Sequence, residues 1–155
     1  MTTAQERGQM VMKALTLTQP WATLVAIGAK RIETRSWRTA YRGPLAIHAA
    51  KSWPREALAF ASSQACSEAF KSRGAMYWFA RGSVVATCNL VECLPMQASG
   101  CLPGIFDDCP ELDTPEERAF GDYSAGRWAW ILEEVKSLDH PIPAKGALGL
   151  WEWNP

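Results

Sequence analysis

Lys30, Glu33 and Arg35 follow one another closely in the chain, and Arg38, Arg42, His48 and Lys51 come soon after. Guanidinium groups fork onto phosphate oxygens, and an ammonium acts as a point charge beside them. From Gly28 to Arg55 seven basic side chains meet a single acid, Glu33. From Glu92 to Asp139 eleven acids meet only Arg118, Arg127 and Lys136. Charge separated in this way fits a face built to meet an anion. It also fits a solvated basic face neutralised by the acidic segment lying against it. Glu33 is placed to pair with Lys30 or Arg35 and to orient them.

These side chains need elements to hold them. Ala14–Thr18 alternates as a first strand, and Thr18-Gln19-Pro20-Trp21 opens a short helix that Gly28 stops. Residues 29–36 predict a strand with Arg31, Glu33 and Arg35 on one side, while Lys30 sits at the helix-to-strand turn where alternation assigns no direction. Residues 37–41 are a polar loop and 42–50 a second strand of the basic region. One helix is expected from Trp53 to about Lys71, then strands over 82–94, 128–135 and 148–153. Residues 95–126 are an acidic loop with one helix at 115–120, and the stretch from His140 is a loop carrying two prolines. The tally is α+β: a small β-barrel of five to six strands with two or three flanking helices.

A chain of 155 residues, 48% apolar and 21% charged, suits one packed domain. Residues 1–11 are expected as a flexible extension and 12–155 as the domain. Neither a membrane span nor a signal core is present, so a cytoplasmic location without membrane contact is expected. Eight tryptophans must be buried or held ready to stack on something flat; Trp128, Trp130, Trp151 and Trp153 are expected in the core. Cys88, Cys93, Cys101 and Cys109 lack the short paired spacings of zinc sites, so reduced thiols are expected, with no metal and no cofactor.

The run from Leu15 to Trp21, followed by Gly28, Lys30, Glu33 and Arg35 in a G-x-K-x-x-E-x-R pattern, closely resembles the ASCH domain. The stretch Tyr41–Lys51 and the closing Gly149-Leu150-Trp151 are similar to that family too, so the likeness spans about residues 13–153. It implies a fold like the PUA domain, with a cleft beside the first helix and the motif strand. It also implies an RNA or modified-nucleotide ligand. Phosphate contacts from Lys30, Arg35, Arg38, Arg42, His48 and Lys51, with stacking on Trp21 or Trp37, would form the usual grip on a single-stranded nucleotide.

The family also contains amidohydrolases acting on N4-acetylcytidine, and ribonuclease activity has been proposed for other members. In the amidohydrolase pattern a threonine follows the motif lysine by three positions. Here Glu33 takes that place and Thr34 comes one later. The catalytic alternative therefore rests on Lys30 with Glu33 as general base, on Thr34 if the strand bulges, or on His48 and Lys51 for phosphodiester cleavage. A further alternative is a protein partner of basic character bound by the acidic 107–122 loop.

Overall fold

The computed structural model describes residues 10–76, 78–96 and 110–155. Most of the expected N-terminal extension lies outside these residues. So do the middle of the acidic loop, Cys101 and Cys109. The described elements are β1 (Met12–Leu17), α1 (Trp21–Ala26), β2 (Ile32–Arg35), β3 (Gly43–Ala49), α2 (Arg55–Ala61), α3 (Gln64–Ser72), β4 (Ser83–Pro95), a 3-10 turn (Pro110–Leu112), α4 (Pro115–Phe120), β5 (Trp128–Pro143) and β6 (Leu150–Trp153). The fold is α+β, with all six strands in one sheet in the order β2-β5-β4-β3-β1-β6. β1 and β3 run parallel, and the other neighbours are antiparallel.

The strands curl as a barrel does, but the ladder does not close, since β2 and β6 remain its two edges. Part of the seam is bridged by a side chain: Arg35 on β2 donates to the carbonyl of Thr16 on β1 at 2.8 Å. Leu15, Leu17, Leu45, Ile47, Trp130 and Leu132 fill the interior of the sheet. α1 lies over it, with Val25 turned into that core and Leu24 into a second cluster with Phe70 and Phe120. Apolar residues spaced three and four apart on α1 thus serve two layers.

Three local differences from the sequence-based expectation have clear causes. The single helix expected over 53–71 is two, because Ser63 caps α3, its hydroxyl accepting from the Cys66 N–H. The motif strand begins at Ile32 rather than Ala29, because the N–H groups of Ala29 and Lys30 both bond the carbonyl of Leu24 and finish the helix instead. Gly28, at φ +78°, makes that reversal. Finally, β5 continues through His140 to Pro143, where a loop was expected. Among the described residues it pairs past Leu132 only with β4, which leaves its other edge without a strand, and prolines are tolerated there.

Candidate functional site

The seam between β1 and β2 opens into a cleft of about 460 Å³. The turn after α1 explains its deepest residue. With its backbone N–H pinned to Leu24, Lys30 turns its side chain inward and is 1% exposed. Its Nζ donates to the carbonyl of Ile32 at 2.5 Å and lies 3.6 Å from Glu33 Oε2. The other Glu33 oxygen sits 3.1 Å from Arg35 Nε, close enough for ion pairing but off the hydrogen-bond line. Glu33 therefore stands between the two motif cations and orients both. A quarter of the Arg35 side chain reaches solvent.

Thr16 and Trp21 line the near wall, and Trp21 stacks on Phe60 with ring centroids 5.2 Å apart and planes 7° from parallel. Asp122 and Arg127 come from the far wall, the acidic half of the chain. Arg127 donates to the carbonyl of Thr34 at 2.9 Å, and its buried Nε lies 3.5 Å from Asp122 Oδ2, an ion pair without a hydrogen bond among the described residues. Sequence reasoning missed Arg127; the available signal was a lone cation at the entry to a strand. It also missed Glu117, which is 4% exposed and receives the backbone N–H groups of Arg31 and Ile32 at 2.9–3.1 Å. Burial pushes the Glu117 carboxyl above the usual range, opposed by the charge of Lys30 and by those N–H groups.

The residues singled out in the sequence divide into three places. Trp21, Lys30, Glu33, Thr34 and Arg35 line this cleft together. Trp37 instead packs edge-on against Trp130 at 4.7 Å, Arg38 is exposed, and Arg42 pairs with Glu92 at 2.7 Å. His48 and Lys51 line a separate groove beyond Thr16. His48 is 2% exposed, its Nε2 bonded to the carbonyl of Ala144 at 2.8 Å and its Nδ1 3.2 Å from the Thr16 hydroxyl.

Burial pushes the His48 imidazole below its ordinary 6.5, with the Ala144 carbonyl partly offsetting this. A depressed folded pKa gives stability that is complete above 6.5 and is lost as the pH falls through the folded value. Thermal unfolding followed from neutral to acid pH should therefore show a steeper decline for the wild type than for His48→Gln. Parallel declines would remove His48 as a source of acid sensitivity.

Cys66, Cys88 and Cys93 are buried and form no disulfide among the described residues, and burial pushes the Cys88 thiol up to about 12. No helix among the described residues is long and apolar enough to cross a membrane.

Fold and cleft together describe a small α+β domain whose sheet opens at a seam lined by Lys30, Glu33 and Arg35 of the G-x-K-x-x-E-x-R pattern. Residues 15–142 match the family model of the ASCH domain, and the chain belongs to that family. Activating signal cointegrator 1 from Mus musculus and from Homo sapiens are each 33% identical to it over 143 residues. The match takes in 89% of this chain but 22% of each relative, so the chain spans well under a third of their length. A crystal structure of a mutant ASCH protein from Zymomonas mobilis aligns with 85% of this chain and 75% of its own, at 14% identity and a TM-score of 0.48.

Proposed function

We propose that the chain binds RNA, as an unpaired or modified nucleotide, in the seam cleft. The observation that carries this reading is the guanidinium of Arg35: held by Glu33 and by the Thr16 carbonyl, it is still partly open to solvent inside a hollow. A cation preorganised in this way meets a phosphate without first ordering a free side chain. Arg127 adds a second guanidinium to the cleft wall, held by the Thr34 carbonyl and by Asp122, and Trp21 adds an aromatic surface. Membership of the ASCH family supports a nucleic-acid ligand over a basic peptide.

The partners of Lys30 are those of an orienting cation, a carbonyl and a carboxylate, which favours binding over hydrolysis. Arg35→Ala should weaken binding of labelled single-stranded RNA by roughly tenfold or more, the scale of a charged hydrogen bond. Wild-type affinity should fall log-linearly with salt. Equal affinity in Arg35→Ala and wild type, measured by fluorescence anisotropy, would remove the cleft as the site. Turnover of N4-acetylcytidine or of the labelled RNA above buffer would replace binding with the hydrolase reading.

A further inference from the structure

The groove on the far side of Thr16 differs from the seam cleft in charge. Lys51, Arg81 and Lys145 line it together with His48, and no acidic residue lines it among the described residues. The seam cleft, in contrast, holds Glu33 and Asp122 beside its cations. All three basic side chains are exposed, and none of them forms an ion pair among the described residues. The Arg81 guanidinium lies 5.8 Å from the centre of the Trp53 ring and donates to the carbonyl of Lys51, which draws two of the cations to one wall. Elsewhere Arg42, Arg73 and Arg118 are neutralised by Glu92, Glu116 and Asp113, while Arg38 and Arg55 are exposed without an ion pair among the described residues but line neither hollow.

The floor of this groove is built, not incidental. His48 is fixed through both ring nitrogens, and Gly146 closes over it so tightly that a Cβ there would meet His48 Cε1 at 2.6 Å. One residue separates the two hollows. The carbonyl of Thr16 holds Arg35 in the seam cleft, while its hydroxyl contacts His48 in the groove and accepts from Trp151 Nε1 at 3.1 Å.

We infer that the groove is a second, phosphate-binding subsite for the same ligand: the backbone of the nucleotides flanking the one held in the seam cleft. This rests on the binding reading above and sharpens it, because a free nucleoside would leave the groove empty. The ligand class is then a single-stranded oligonucleotide. Uncompensated cations on a rigid floor suit a run of phosphates, for which sequence is unimportant and salt dependence is strong.

The test compares uridine monophosphate with a labelled oligouridylate on wild type, on Lys51→Ala/Arg81→Ala/Lys145→Ala and on Arg35→Ala. The three groove residues are exposed, so their replacement should leave thermal unfolding near wild type. The groove variant should bind the oligonucleotide about tenfold or more weakly, with a salt slope shallower by about 0.7 for each phosphate it no longer neutralises. Its affinity for the monophosphate should equal that of wild type, whereas Arg35→Ala should weaken both ligands. If the groove variant keeps wild-type oligonucleotide affinity and slope while Arg35→Ala loses them, the subsite is overturned and the cleft reading stands. If the groove variant loses affinity but Arg35→Ala does not, the continuous path is overturned along with the cleft. If wild type binds no oligonucleotide, both fall.

Discussion

Lys30→Ala should destabilise the domain by about 3–5 kcal/mol, the usual cost of removing one partner from a buried charge cluster. At this chain length that corresponds to a fall of roughly 10 °C in the unfolding temperature. The side chain is 1% exposed, and its Nζ faces Glu33 on one side and the Ile32 carbonyl on the other. Its loss leaves a cavity and leaves the carboxylate of Glu33 with Arg35 alone. Lys30→Met restores most of the volume but not the charge, so it separates the two contributions. The methionine variant should recover less than half of the loss in a thermal or urea melt; full recovery would mean that the cavity, not the charge, mattered. In the binding assay both variants should lose RNA affinity, since Glu33 without Lys30 is free to swing and carry Arg35 with it.

Much of this cluster was legible in the sequence because it is local. Lys30, Glu33 and Arg35 lie on one turn and one short strand, so spacing alone brought them near each other. What spacing could not show was depth. Lys30 is buried because the last turn of α1 claims its backbone N–H, a bond decided by where Gly28 reverses the chain. The apparent block of cations was also less unified than its spacing suggested. Arg42 lies at the start of β3 opposite the end of β4, where Glu92 from the acidic half neutralises it. His48 and Lys51 belong to the far side of β1, since β1 and β3 pair in parallel and Thr16 stands beside His48. Glu117 was unreadable for the opposite reason, and Arg127 offered only its place at the entry to a strand. Their hydrogen-bond partners are backbone groups of Arg31, Ile32 and Thr34, distant in sequence and carrying no side-chain signature, and the local ion pair of Arg127 with Asp122 does not point to β2.

Glu117→Ala should produce a loss comparable to that of Lys30→Ala, about 3 kcal/mol or more, although Glu117 touches no motif side chain through a hydrogen bond. The helix that carries it is set by Thr114, whose hydroxyl caps the Glu117 N–H at 3.1 Å, and by Pro115 in the first turn. From there the carboxylate collects two successive N–H groups at the point where the chain leaves the Lys30 turn and enters β2. Removing it leaves both N–H groups without that partner, at about 1–3 kcal/mol each when buried, and takes a counter-charge from Lys30. Because the folded carboxyl is pushed up, its contribution is complete below the ordinary 4.5 and is lost as the pH rises through the folded value. The gap between wild type and variant should therefore widen on acidification from neutral pH toward 4.5. A double-mutant cycle with Lys30→Ala should show the two losses to be less than additive, by about 1–2 kcal/mol, as expected for charges that share one buried cluster. Strict additivity, with a gap that stays constant across pH, would instead make Glu117 a backbone cap that acts independently of the motif lysine.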